Sequence, residues 1–269
     1  MFVLAQLSDV SFSYDNRPVL ESADLALGTG EVVGLLGLNG SGKTTTMRLL
    51  AGILEPNRGV VQRTYHHLGY LPEERGLYRR LTLEQYLGFV GELNGLSPKA
   101  CRDRVNTLIG RFLLDPYRGR RIESLSKGNQ QKVQLAATLM PSPELMLWDE
   151  PFSGLDALNQ DLLLDVLKEL RAEGVTVLLS THRLDDLELL ADRTYILARR
   201  RFQEYVRPRR PALYRLRLSR DRDDVEIEVP AEQLSEVIHA RGLEGYTLLS
   251  ATPKTGLEQV FRELLGEGA

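Results

Sequence analysis

Residues whose types and spacing suit chemistry on a phosphate chain occur in four places along the sequence. The first is Gly37-Leu38-Asn39-Gly40-Ser41-Gly42-Lys43-Thr44-Thr45, which fits a glycine, four variable residues and Gly-Lys-Thr. Gly37, Gly40 and Gly42 let the backbone curl so that successive N–H groups point inward at an anion. Lys43 can reach the outer phosphates as a mobile cation, and the Thr44 hydroxyl suits Mg²⁺. The second is the carboxylate pair Asp149-Glu150, which closes an apolar run. Asp149 can hold Mg²⁺ directly or through water, and Glu150 can orient and polarise a water that attacks the γ-phosphate. The third is His182, which follows another apolar run and could donate a hydrogen bond to that phosphate or to the water. The fourth is Leu125-Ser126-Lys127-Gly128-Asn129-Gln130-Gln131. Its Ser126 and Gly128 form either a second anion site at a helix start or merely a capped helix. As an anion site it could not join the first within one compact domain unless the chain folds back.

These groups need elements to hold them. Residues 32–36 read as a buried strand and 45–50 as a helix, the context a phosphate loop requires. Residues 144–149 and 175–179 read as further buried strands, and functional side chains of a parallel sheet gather at strand carboxyl ends. Residues 3–12 and 19–27 read as two antiparallel strands around a turn at 15–18, with Tyr14 at its edge. Tyr14 could stack on a flat base or pack on its own sheet. Two more strands are expected at 59–61 and 67–71, a helical insertion from 82 to 138, and a helix over 159–171. His66 and His67 are adjacent on a strand and point to opposite faces, which disfavours a metal site. Arginines at 199–201 and 207–210 read as a solvated hairpin and linker rather than an anionic-lipid patch. Beyond Pro211 the alternation of Tyr214, Leu216 and Leu218 with arginines, and of Val225, Ile227 and Val229 with glutamates, reads as a separate small α/β unit.

Composition bounds the partners. With 34 basic and 37 acidic residues the net charge is −3, which gives no general reason to expect nucleic acid or an anionic membrane. Cys101 is the one cysteine, so an internal disulfide and a thiolate zinc site are both excluded. No apolar stretch approaches the ~18 residues of a membrane span, and the N-terminus lacks a signal-peptide pattern. A soluble chain is expected, doing any membrane work through a partner.

In this order, the motifs resemble those of the ATP-binding subunit of ABC transporters, over about residues 1–205. The Walker A loop is Gly37 to Thr44, the signature is the stretch beginning Leu125-Ser126, and the Walker B strand ends at Asp149-Glu150. The D-loop is Ser153-Gly154-Leu155-Asp156 and the switch histidine is His182. The resemblance implies an α/β P-loop ATPase core: a mostly parallel sheet, an antiparallel β subdomain, a helical subdomain at about 75–140, and a small accessory α/β domain at 211–269. It implies ATP and Mg²⁺ as cofactors. Gly37, Asn39, Gly40, Ser41, Gly42, Lys43, Thr44 and Thr45 then hold the nucleotide, with Tyr14 on the adenine. Thr44, Glu73 and Asp149 serve the metal. Lys43, Glu150 and His182 are the catalytic residues.

The resemblance also implies a head-to-tail homodimer or heterodimer, in which Ser126, Gly128 and Asn129 grip the nucleotide held by the partner. It implies a separate integral membrane permease, a cytoplasmic chain peripheral to the inner face of the cell membrane, and no nucleic acid. A soluble ABC-type ATPase that remodels ribosomes or DNA is the alternative, but such proteins typically carry two cassettes in one chain or a long coiled coil. Two motifs depart from the family pattern. Glu73 stands where a glutamine is usual, adding a negative charge beside the γ-phosphate, and Lys127 and Asn129 replace commoner glycine and glutamine. Both variants resemble ABC-2-type exporter ATPases, in which a C-terminal extension is expected to regulate or brace the dimer.

Overall fold

Alternating apolar residues build β1 (Val3–Tyr14) and β2 (Arg17–Gly28) into an antiparallel hairpin. The computed structural model describes residues 2–74, 76–153, 155, 157–206, 213–220, 223–254 and 256–265. The turn is tighter than the sequence suggested: Asp15 and Asn16 alone make it, at φ 43° and 64°. Both types tolerate left-handed backbone, and a two-residue turn of this hand matches strand twist, so pairing continues to Tyr14 and Arg17.

β3 (Val32–Leu36) leads into α1 (Lys43–Leu50), and β4 (Arg58–Arg63) returns to the free edge of β1. The second sheet adds β5 (Leu68–Leu71), β6 (Leu145–Asp149), β7 (Thr176–Thr181), β8 (Arg193–Ala198) and β9 (Arg201–Val206), in the order β5-β6-β7-β3-β8-β9. Pairing is parallel from β5 through β8. Every residue of β3, β6 and β7 is buried, as central strands of a sheet covered on both faces require. Between β6 and β8 run α5 (Ala157–Ala172) and α6 (Leu184–Leu190). One apolar core, including Leu7, Leu25, Leu35, Met47 and Leu147, joins the antiparallel sheet, α1 and one face of the parallel sheet.

The insertion contains α2 (Leu83–Leu93), α3 (Pro98–Arg111) and α4 (Lys127–Thr138). Each has a side-chain cap, from Thr82, Ser97 and Ser126. The expected helical pattern is interrupted between α3 and α4 by 3₁₀ turns at Asp115–Tyr117 and Ile122–Ser124, where Pro116 and Gly119 break the repeat.

At the amino end of β8 the guanidinium of Arg193 holds both oxygens of Glu31, at 2.8 and 2.9 Å, and also Glu204 at 2.6 Å and the Ala26 carbonyl at 2.6 Å. The bonds to Glu31 outweigh burial and raise the Arg193 pKa. Glu31→Ala would strand a largely buried charge that Glu204 only partly balances. It should cost roughly 3 kcal/mol of unfolding free energy, read as a lower urea midpoint, with per-molecule ATP turnover unchanged because the site lies at the other end of the strands.

The chain divides into two compact units, Met1–Glu204 and Tyr205–Ala269. In the second, β10 (Leu213–Arg220) pairs antiparallel with β11 (Asp223–Pro230) and with β12 (Thr247–Lys254). A 3₁₀ turn, Ala231–Gln233, precedes α7 (Leu234–Leu243), and α8 (Leu257–Leu265) follows β12. Leu216, Leu218 and Val229 form its core. Arg215 and Arg217 stand opposite Glu228 and Glu226 as alternation requires. Twist favours diagonal ion pairs, Arg215 to Glu226 at 2.9 Å and Arg217 to Asp224 at 3.4 Å, while Arg215 also reaches Glu228 straight across at 3.9 Å. β12 runs past the expected 246–249 because an edge strand tolerates Pro253. The arginines at 207–210, Pro211 and the turn residues 221 and 222 lie outside the described residues.

Candidate functional site

The carboxyl ends of β6, β7 and β3 open side by side on one rim, because these strands are parallel and adjacent in that order. From β3 the chain turns through the glycine loop. Gly40 and Gly42 adopt φ 76° and 114°, open to glycine at little cost, while a Cβ on Gly37 would come within 2.5 Å of the Ser41 hydroxyl. Thr46 N–H makes the first bond of α1, to Gly42 at 2.8 Å, so the N–H groups of Lys43, Thr44 and Thr45 remain at the helix start to meet an anion. The Thr45 side chain is buried, which leaves its N–H for that task. Asn39 and Gly40 are exposed at the lip. The Ser41 N–H is engaged by the Leu38 carbonyl at 3.1 Å, and its hydroxyl is shielded without a hydrogen-bond partner.

Lys43 crosses the mouth of this loop. Its Nζ donates to the carbonyls of Gly37 and Leu38, at 2.9 and 3.3 Å, and pairs with Glu150 Oε1 at 3.1 Å. The other Glu150 oxygen meets His182 Nδ1 at 3.0 Å. The three expected catalytic residues therefore converge: Glu150 is nearly buried, with Lys43 on one oxygen and a half-exposed His182 on the other. Glu150 has φ 48°, a conformation that costs a non-glycine residue of order 1 kcal/mol and that clusters at functional sites. The strain is held by Ser180, which accepts the Glu150 N–H on its carbonyl at 3.2 Å and its hydroxyl at 3.0 Å.

The Ser180 hydroxyl also donates to Asp149 Oδ1 at 2.6 Å. Asp149 is 2% exposed and its Oδ2 has no hydrogen-bond partner. An orphaned carboxylate oxygen, with the Thr44 hydroxyl half-buried at the start of α1, supplies the hard oxygen donors that Mg²⁺ takes. Glu73 lines a polar cleft of about 30 Å³ with Asp149, Glu150 and Ser153. Among the described residues no three carboxylates or imidazoles are arranged as a metal cluster, so metal binding there would need substrate oxygens as well.

The Tyr14 ring packs edge-on against Phe12, centroids 4.8 Å apart, yet stays 39% exposed. On α1, burial opposes the charge of Arg48, but hydrogen bonds to the Tyr14 and Tyr70 hydroxyls prevail and raise its pKa. The Tyr70 phenol is itself pushed up, first by burial and then by the Asp149 charge.

The fourth motif stands apart. Ser126 caps α4 by accepting the Asn129 N–H at 3.3 Å, Gly128 packs against Asn159, and among the described residues neither Ser126 nor Asn129 bonds to the glycine loop. Gly154 and Asp156 lie outside the described residues, while Ser153 closes the turn after Glu150 with a 3.0 Å bond to its carbonyl. Three residues not singled out for the site also reach it: Ser180, Gln131, which donates to the Pro151 carbonyl at 3.1 Å, and Gln134, which donates to the carbonyls of Pro72 and Glu74. A glutamine at a buried position of α4, as Gln134 is, was the available signal.

This geometry has relatives. The ABC transporter family model matches residues 20–153. An uncharacterized ABC transporter ATP-binding protein of Methanocaldococcus jannaschii is 43% identical over 192 residues, which are 71% of this chain and 73% of that one. The chain belongs to this family. The lipopolysaccharide export system ATP-binding protein LptB of Acidithiobacillus ferridurans is 34% identical over 210 residues, 73% of this chain and 87% of that one. A solved ATP-binding subunit of an ABC transporter superposes with a TM-score of 0.70 at 35% identity, covering 76% of this chain and 90% of the other. The chain is thus an ABC transporter ATP-binding subunit and an ATPase, with the expected α/β core of parallel sheet and antiparallel β subdomain.

Proposed function

We propose that this ABC ATPase drives export through a separate membrane permease, closing head to tail on a second ATPase subunit, identical or related, with ATP and Mg²⁺ between them. One observation carries the reading: Lys43, Glu150 and His182 converge within the chain, whereas Ser126, Gly128 and Asn129 sit on the surface at the start of α4, apart from that cluster. A second subunit turned end for end brings its own α4 to this phosphate site.

In that pair Lys43 exchanges its Glu150 partner for phosphate oxygens, and Tyr14 offers its exposed ring face to the adenine. Thr44, Asp149 and Glu73 would hold the metal, which neutralises charge on the outer phosphates. Glu150, released from Lys43 and steadied by His182, orients and polarises the attacking water. Ser180 keeps the Asp149 carboxylate and the Glu150 backbone in place throughout.

The permease reading is supported by two features. No described helix is long and apolar enough to cross a membrane. A cleft of about 320 Å³ opens between β5, α2 and α4, lined by Tyr70, Tyr86, Val90, Asn94 and Thr138, and beside it Tyr78 and Leu93 are more than half exposed. On this reading the chain is cytoplasmic and peripheral to the membrane's inner face. Export follows the kinship with LptB and the variants Glu73 and Lys127. The test is co-purification in detergent with a candidate permease of several apolar spans from the same genome. Val90→Asp puts a charge into the cleft and should reduce recovery of the complex at least about tenfold, the loss expected of a desolvated unpaired charge. ATP turnover by the isolated chain should be unchanged. Full recovery of the complex would rule the cleft out as the docking site.

A further inference from the structure

Gln134 is the one buried amide side chain of α4, 6% exposed, and it lies one helical turn beyond Gln131. Its Nε2 donates to the carbonyl of Pro72 at 3.2 Å and to that of Glu74 at 3.4 Å. These two carbonyls bracket Glu73. A single amide therefore holds the backbone on both sides of Glu73, a residue that lines the polar cleft with Asp149 and Glu150. Gln131, on the same face of the helix, holds the Pro151 carbonyl immediately after Glu150. The helix that begins at Ser126 is thereby tied to both loops flanking the point of attack.

We propose that Gln134 is a positioning residue: it fixes Glu73 against the reacting phosphate, so that movement of α4 and placement of Glu73 are one event. The proposal rests on the reading above that Glu73 serves the metal-bound phosphate. The chemistry favours it, because a carboxylate beside a γ-phosphate is repelled and stays useful only if its main chain cannot retreat. Two N–H···O bonds to the carbonyls on either side of Glu73 supply that restraint where its own side chain alone would swing away.

The experiment is a double-substitution cycle with Gln134→Met, which keeps length and helix propensity but donates nothing, and Glu73→Ala. The lone tryptophan, Trp148, is fully buried, so unchanged emission certifies the fold of every variant. Gln134→Met should lower kcat about tenfold while the KM for ATP moves less than about twofold, the pattern of lost positioning rather than lost binding. In the Glu73→Ala background the same substitution should change kcat by less than about twofold, because the two act as a unit. Gln134→Glu, of the same shape but with acceptors facing the carbonyls, should be at least as slow as Gln134→Met near neutral pH. It should recover as the pH falls and its carboxyl becomes a donor.

Amide exchange at Glu73 and Glu74, followed without nucleotide, should be at least about tenfold faster in Gln134→Met, since the loop loses its two ties. Unchanged exchange would overturn the tie itself, whatever the turnover results. Losses that multiply across the cycle would overturn its action through Glu73. Glu73→Ala turning over like wild type would overturn the underlying reading of Glu73, with the exchange result unaffected.

Discussion

Glu150→Gln should stop steady-state ATP turnover, by about 10²- to 10³-fold, and leave a nucleotide-bound dimer that outlives the wild-type one. The substitution is close to isosteric, so the bonds from the residue-150 N–H to Ser180 should survive, and with them the left-handed turn before Pro151. What changes is charge. The amide cannot accept a proton from water, and it no longer pairs with Lys43, which now sits 3.1 Å from Glu150 Oε1. Lys43 is then free for the phosphates, so ATP affinity should hold or rise while the chemical step fails. Phosphate release and size-exclusion chromatography with ATP read the two effects separately. A variant hydrolysing at the wild-type rate would mean that another group activates the water. A variant that neither hydrolyses nor binds would mean that Glu150 shapes the pocket rather than the reaction.

How much of this could be read from residues alone varied with the range of the interactions involved. The glycine loop and the Asp149-Glu150 pair were legible because their chemistry demands particular residue types at short spacing, and the buried strands before them had only one sensible partner environment. Ser180 was not. Its role depends on β7 lying between β6 and β3, which brings Ser180 opposite Asp149, 31 positions away in sequence. Nothing local to residues 176–181 announces that strand order. Gln134 was hidden for a similar reason, since its partners at Pro72 and Glu74 lie on the far side of two other helices in sequence. The turns erred the other way. Asp15-Asn16-Arg17-Pro18 contains three residues suited to turns, Asp15, Asn16 and Pro18, and only cross-strand pairing from Tyr14 to Arg17 shows that the first two suffice. In the insertion the apolar spacing around Phe112 continued a helical pattern through a segment that Pro116 and Gly119 do not allow to be helix. Periodicity reports burial, and an irregular segment can bury side chains at helical spacing too.

A mixing experiment tests the separation of Ser126 from Lys43 most severely. Lys43→Met removes the phosphate cation from one half of a composite site, and Ser126→Arg blocks the other half with a bulky cation. Each variant alone should lose turnover by about 10²-fold or more, the scale of removing a preorganised charge or donor from phosphoryl transfer. Ser126 is a better target than Gly128, because a Cβ on Gly128 would approach the Asn159 side chain to 2.4 Å and disturb the fold of its own chain. Losing the Ser126 cap should cost α4 only ~1 kcal/mol. If the site spans two subunits, a dimer of one variant with the other has one ruined site and one intact site, made from the Lys43 of one chain and the Ser126 of its partner. Random pairing in an equal mixture makes half the dimers mixed, so the mixture should regain about a quarter of wild-type turnover if each intact site works alone. A site enclosed within a single chain predicts the opposite, since every chain in the mixture carries one fatal change. A mixture as inactive as its two components would therefore place Ser126 in the same site as the Lys43 of its own chain and remove the reason for a head-to-tail pair, whereas a Ser126→Arg variant with wild-type turnover would return Ser126 to the role of a helix cap.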